Sequence, residues 1–233
     1  MTQMNYVKRI GLDTYRIQNR GGKGIKGMQT REEDVVTKLF LSSNHSYLLY
    51  FTDMGRVYRT KTYNIPEAGR TAKGTPVVNI IEKSPEEKIS EIIPVKEFSD
   101  NEYLVMVTKN GIIKKTPASE YESIRKSGKI AITLKEGDEL ISIFKTTGND
   151  NIFLATRNGM AICFNENDAR AVGRTASGVK AIDLADGDYV VGAEPVREDS
   201  KVLLVTDGGY GKCTDLTSFR IQHRGGKLSL IHI

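Results

Sequence analysis

The stretch "YLVMVTKNGIIKKT" (Tyr103 to Thr116) places an apolar run, a Thr-Lys-Asn-Gly turn and a β-branched return run in one line. Such a pattern reads as a β-hairpin, with glycine at the position that needs φ above zero. The turn recurs as "TQMN" (Thr2 to Asn5), "TDMG" (Thr52 to Gly55), "TRNG" (Thr156 to Gly159) and "TDGG" (Thr206 to Gly209), so five hairpins share one rule. Asn5 takes the glycine's place in the first copy, and asparagine tolerates the same left-handed backbone. The apolar runs "YLLYF", "IFLA" and "VLLV" precede the other glycine turns.

Further positions keep step with the turn. Fifteen residues after its last residue stand Arg20, Arg70, Arg174 and Arg224, with Lys126 in the third copy. Nineteen residues after it stand Gly24, Gly74 and Gly178, with Gly128 two residues early. The period is near 50, and the segments that follow ("TPVVNII", "KIAITL", "VKAIDL") are again short and β-branched, ending in acidic turns such as "KEGD" and "LADGD". No helical periodicity competes. Each repeat therefore makes about four short strands, and repeated four-stranded units form a propeller-like ring because such a ring leaves only short sheet edges. The expected fold is all-β, one domain over residues 1–233 with five repeat starts and a ring that is open or incomplete.

Composition supports a globular chain, 39% hydrophobic and 27% charged over 233 residues. Neither a membrane-length apolar run nor a signal-peptide core is present, so a soluble, cytoplasmic protein is expected. Cys163 and Cys213 form no CxxC, and His45, His223 and His232 have no ligand spacing, so neither metal, disulfide nor redox role is expected. The tyrosines Tyr6, Tyr15, Tyr47, Tyr50, Tyr58 and Tyr63 read as strand and core material.

The net charge of +5 is distributed in phase with the repeat. Residues 5–31 carry seven cations and one anion, residues 32–54 one cation and four anions, and the alternation continues along the chain. Equivalent halves of a ring's units face alike, so the cations are expected to form a belt and the anions another surface. A belt on a rounded body suits a bent duplex, since phosphates are neutralised whatever the sequence. The belt residues are Lys8, Arg9, Arg16, Lys26, Arg56, Arg59, Lys61, Arg70, Lys73, Lys114, Lys115, Arg125, Lys126, Lys129, Arg174, Lys212, Arg220, Arg224 and Lys227. No base-reading helix is legible, so specificity should be low. A protein-interaction scaffold with an acidic partner is the alternative, and a propeller enzyme ranks third because no acids or histidines converge.

"QNRGGKG" (Gln18 to Gly24) resembles the box that marks the C-terminal domain of DNA gyrase A, and "GRVYRTKTYNIPEAGRTAKGTPVVNI" and "DGGYGKCTDL" are similar to that family's repeats. The resemblance covers residues 1 to 227. It implies a β-pinwheel of four-stranded blades that exchange strands, and DNA-binding roles for Gln18, Asn19, Arg20, Gly21, Gly22, Lys23 and Gly24. It also implies chiral wrapping of double-stranded DNA in support of ATP-dependent negative supercoiling. The domain itself is then noncatalytic and without cofactor, ATP and Mg²⁺ serving other parts of the enzyme. Its partners would be the N-terminal cleavage domain of gyrase A and the gyrase B protein, with the isolated domain monomeric and nucleoid-associated. The corresponding C-terminal domain of topoisomerase IV is the alternative within the family, but its box is absent or degraded. Two departures stand out: family members typically carry more repeats than the five turns here, and residues 228–233 ("LSLIHI") leave the pattern.

Overall fold

The computed structural model describes residues 1–15, 18–22, 24, 27–30, 33–197, 199–226 and 229–230, the last pair by backbone alone. In chain order its strands are β1 (Tyr6–Val7), β2 (Tyr47–Thr52), β3 (Arg56–Lys61), β4 (Thr75–Pro76), β5 (Ile89–Val95), β6 (Tyr103–Thr108), β7 (Ile112–Pro117) and β8 (Lys129–Ile130). They continue as β9 (Leu140–Thr146), β10 (Asn151–Thr156), β11 (Met160–Asn165), β12 (Val179–Lys180), β13 (Val190–Pro195), β14 (Lys201–Val205), β15 (Gly211–Asp215) and β16 (Ser229–Leu230).

Every turn of the repeat closes in the same way. The N–H of Asn5, Gly55, Gly111, Gly159 and Gly209 donates to the carbonyl of the threonine three residues before it. That threonine's hydroxyl then accepts the N–H of the next residue, from Tyr6 (3.1 Å), Arg56 (3.3 Å), Ile112 (3.2 Å), Met160 (3.2 Å) and Tyr210 (3.2 Å). Asn5 has φ 62° and Gly55 φ 72°, the left-handed geometry expected from sequence. At Gly55 a second constraint joins the first: a Cβ would stand 2.7 Å from the Ile132 carbonyl, so the next repeat's backbone can approach only glycine there.

Three four-stranded antiparallel blades follow, in the orders β5-β2-β3-β8, β9-β6-β7-β12 and β13-β10-β11-β16. Each blade takes its short outer strand from the following repeat, so neighbouring repeats exchange a strand. β1 pairs with β4, and β14 with β15, as two-stranded sheets. Strands β5, β9 and β13 adjoin one another at the inner ends of the blades, which puts β8, β12 and β16 at the rim. Ser229–Leu230 pairs with Met160 and Ala161, the place the repeat assigns to an outer strand.

The cores lie between blades. Leu48 and Tyr50 pack toward β1, whereas Leu49 and Phe51 pack against Leu104 and Met106 of the next blade. Val105 and Val107 in turn meet Ile152 and Leu154, and Phe153 and Ala155 face the last hairpin. Both faces of a central strand are thus buried, which is why those strands read as continuous apolar runs rather than alternating ones. Burying Leu49 or Leu104 fully is worth about 1.5–3 kcal/mol each. Tyr50 and Tyr58 belong to this core as expected, but Tyr63 and Tyr15 are exposed and Tyr47 is half-buried beneath two cations, Arg59 at 4.6 Å and Lys61 at 3.3 Å from the ring centre.

One regular feature has no sequence signature. A single 3-10 turn starts seven residues after each turn residue, at Leu12–Thr14, Thr62–Asn64, Ala118–Tyr121, Glu166–Asp168 and Leu216–Ser218. Three or four residues are too few to show a period. These turns swing the chain from each hairpin into the loop that crosses to the preceding blade.

Candidate nucleic-acid interface

After its 3-10 turn, each repeat from the second onward sends a glycine-bearing basic loop to the outer hairpin strand of the preceding repeat. Parallel bridges mark the track at Arg9 and Glu67, Lys115 and Ala171, and Cys163 and Ile221. The loop then adds its two-residue strand to that blade's edge. This puts the loops on the rim. Their cations Arg20, Arg70, Lys73, Arg125, Lys126 and Arg220 are exposed, as is Lys212 on β15.

Other expected belt residues serve the protein itself. Lys114 and Lys115 are buried, 1% and 4% exposed, and cannot face a duplex. They sit on β7, a strand covered on both sides by neighbouring blades, so the expectation that they lie on the belt is corrected. Lys115 Nζ lies 2.9 Å from Glu166 Oε2, and that carboxylate also accepts from Thr146 Oγ1, Gly148 N and Asp150 N. Lys114 Nζ donates to the carbonyls of Ala131 (2.5 Å), Gly173 (3.3 Å) and Arg174. Burial, then the charge of Arg174, pull the Lys114 pKa down to about 7, whereas Glu120 raises it.

The half-buried cations are also engaged. Arg9 Nε donates to Ile65 O at 3.2 Å and its guanidinium pairs with Glu67 at 3.2 Å. Arg56 donates to Ser127 O at 3.0 Å, Arg59 to Glu122 O, and Lys61 to His45 O at 2.9 Å. Arg174 reaches Ile130 O on β8, and Arg224 reaches Lys180 O on β12 at 2.9 Å. The repeat arginine thus stitches its loop to the outer strand of an earlier blade. Lys129 is half-buried on β8. Arg16, Lys23, Lys26 and Lys227 lie outside the described residues, as do Leu228 and residues 231–233 of the tail.

The expected anionic surface needs a similar correction. Asp34, Glu87, Asp138 and Asp188 are buried. Asp34, Asp138 and Asp188 accept the backbone N–H of Met4 (2.9 Å), Asn110 (2.9 Å) and Asn158 (3.1 Å), one residue before the left-handed turn position. Glu87 instead accepts from Tyr58 Oη at 2.8 Å. The three aspartates thus hold hairpin turns, a role signalled in sequence only by their constant place 21 residues before the next repeat's turn residue.

The box loop is distinct. Gln18, Asn19, Arg20, Gly21, Gly22 and Gly24 are all exposed. Gly22 N–H donates to Asn19 O at 3.0 Å, and Gly24 N–H donates to Gln18 Oε1 at 3.1 Å. The Gln18 amide therefore braces the loop from beneath. A Cβ at Gly22 would come within 2.5 Å of that amide oxygen. The other copies make the same tight turn, Ala72 N to Gly69 O and Ala176 N to Gly173 O. Their following glycine is explained by blade contact, since a Cβ at Gly74 would stand 2.6 Å from Val7 O and one at Gly178 2.5 Å from Ile113 O. At Gly24 no neighbour among the described residues lies within 4 Å.

Breaking the Lys115–Glu166 pair should be the costliest single change in these seams. Lys115→Met leaves a buried carboxylate with hydrogen bonds but no counter-charge, and should lower unfolding free energy by about 3–5 kcal/mol. Urea denaturation checks this; a loss below about 1 kcal/mol would place the pair among surface bridges. Both thiols are free, Cys163 buried with its pKa pushed up by burial and Cys213 exposed. Among the described residues no acid, histidine and cysteine grouping could hold a metal, and no helix is long and apolar enough to cross a membrane.

Strand-exchanging blades around adjoining inner strands, with glycine-bearing basic loops laid along the rim, define a β-pinwheel of the propeller class. The model of the family described as DNA gyrase C-terminal domain, beta-propeller, matches residues 1–43, 46–96, 102–147, 150–197 and 200–227, five segments that follow the hairpins. The chain belongs to the DNA gyrase C-terminal domain family. It is 47% identical over 230 residues to DNA gyrase A of Staphylococcus epidermidis (strain ATCC 12228 / FDA PCI 1200), covering 97% of this chain and 26% of that protein. The chain thus spans about a quarter of that relative's length. Among solved structures, the C-terminal domain of DNA topoisomerase IV superposes with a TM-score of 0.84 at 30% identity, covering 99% of this chain and 70% of that one. The DNA gyrase A C-terminal domain superposes with a TM-score of 0.76 at 26% identity, covering 97% and 73%.

Proposed function

We propose that this domain binds double-stranded DNA along its rim without reading sequence, and bends it into a chiral wrap. It acts as the noncatalytic C-terminal part of a DNA gyrase A polypeptide, whose cleavage chemistry and ATP-driven partner lie elsewhere in the enzyme. The observation that carries this reading is the recurrence of exposed cations in the basic loops of four of the five repeats, Arg20, then Arg70 and Lys73, then Arg125 and Lys126, then Arg220. Cations spaced by blades meet a duplex at intervals along a curve, and each neutralised phosphate offsets part of the bending cost. The domain takes no cofactor of its own. Its partners are duplex DNA, the cleavage domain of the same polypeptide and the gyrase B protein, in the bacterial cytoplasm, and the isolated domain is a monomer over residues 1–233.

A topoisomerase IV type of domain is the second reading, favoured by the close superposition on that structure. The intact box, Gln18 to Gly24, weighs toward gyrase. Ligation of nicked plasmid in the presence of the domain separates wrapping from simple binding. A wrap of one hand shifts the topoisomer distribution in one direction in proportion to the domain added. An unshifted distribution under conditions where the plasmid is demonstrably bound would contradict wrapping.

A further inference from the structure

We propose that Lys8 and Lys114 are positioning residues, each holding the rim loop of a later repeat in the shape that places its arginine, Arg70 at the exposed rim and Arg174 against the Ile130 carbonyl. The DNA part of this proposal rests on the function proposed above. Both lysines stand three residues after a turn residue, Asn5 or Gly111. Lys8 Nζ donates to the carbonyls of Gly69 (3.0 Å), Arg70 (2.5 Å) and Ala72 (3.2 Å). Lys114 Nζ donates to the carbonyls of Gly173 and Arg174, the equivalents of Gly69 and Arg70, and to Ala131 O. An ammonium has three donors and no acceptor, so three carbonyls exhaust it and leave nothing for a phosphate.

The loop needs such a charge. Carbonyls that converge on one point repel each other, and desolvating them without a donor is costly. The clamp lies at the base of a tight turn, closed by Ala72 N to Gly69 O and by Ala176 N to Gly173 O, that carries the repeat arginine on its way to the blade edge. Where the same position holds Tyr58, Arg56 reaches Ser127 O from two residues earlier in the strand. The basic residues nearest the belt in sequence therefore act on DNA through the loops they brace.

Lys8→Met and Lys114→Met in the full chain test this, because methionine keeps the stem and removes the donors. Lys8 is half-buried at the rim, so its variant avoids the core and keeps the test independent of Lys114. In the protein without DNA, exchange of the Ala72 and Ala176 amide protons should accelerate by about ten- to hundredfold in the respective variants, the scale of one charge-assisted hydrogen bond, with blade amides unchanged. Duplex affinity should fall while the slope of its salt dependence stays at the parental value, whereas Arg70→Ala should reduce that slope by about one. Unchanged loop exchange, or a slope reduced by about one in Lys8→Met, overturns the clamp in favour of direct phosphate contact. A loosened loop with unaltered affinity overturns its role in presentation. Failure of the parental domain to bind duplex would defeat the proposed function alone, since loop exchange reads the clamp without DNA.

Discussion

Replacing Gln18 to Gly24 with alanines in the full-length gyrase A polypeptide should abolish negative supercoiling and leave DNA cleavage and relaxation largely intact. The loop presents exposed backbone at Gly21, Gly22 and Gly24, braced by the Gln18 amide, with Arg20 beside it. Gly21 and Gly24 adopt φ of 88° and 69°, a left-handed backbone that alanine rarely takes, so the alanine loop must change shape as well as lose charge. A duplex wrapped on the rim pays for its curvature along the whole path, and the contact that fastens its end decides whether the wrap persists. Rim cations elsewhere would still hold DNA, only less bent. Thermal unfolding of the variant domain at the parental temperature excludes loss of fold. A folded variant that supercoils at the parental rate would assign the wrap to the other loops.

Much of the fold was legible because the hairpin turn imposes backbone geometry that few residues accept. Asn5, Gly55, Gly111, Gly159 and Gly209 all have positive φ, and the threonine three residues earlier uses its hydroxyl in every copy. The 3-10 turns were not legible, since three residues such as Leu12–Thr14 carry no periodicity. Strand exchange came from family resemblance rather than spacing: a two-residue strand such as Val179–Lys180 pairs where the ring places it, far from its own hairpin.

The charged residues were less legible, for one physical reason. A lysine in sequence reads as solvated, but a propeller blade has neighbours on both faces, so a central-strand lysine is buried whichever way it points. Lys114 and Lys115 in "IIKKT" point to opposite faces of β7, one ending on carbonyls and the other on Glu166. The signal was present in their setting: two lysines inside a hairpin whose other strand is an unbroken apolar run, where a solvated pair is out of place. Asp138 and Asp188 deceived in the same way, their acidic turns reading as solvent-facing while each accepts a hairpin N–H. The loop cations Arg70, Lys73, Arg125 and Lys126 are exposed, because loops that cross a blade edge have one open side.

The salt dependence of binding tests the central claim most directly, because phosphate neutralisation leaves a steep signature that does not vary with the sequence of the duplex. Each phosphate contacted by a lysine or arginine releases condensed counterion, so the logarithm of the binding constant falls linearly with the logarithm of salt concentration. The exposed loop cations recur over four repeats, and a path along several of them contacts about six to ten phosphates. Affinity for mixed-sequence duplex should then fall by about three to five orders of magnitude between roughly 50 and 200 mM salt, and two duplexes of unrelated sequence should give the same line. Titration of fluorescent duplex with the domain across that range gives the slope. A steep common line is the result expected of a rim that grips the backbone. A flat response, or tighter and equally salt-sensitive binding to an acidic protein, would contradict the DNA reading and leave the charged rim as a protein-docking surface.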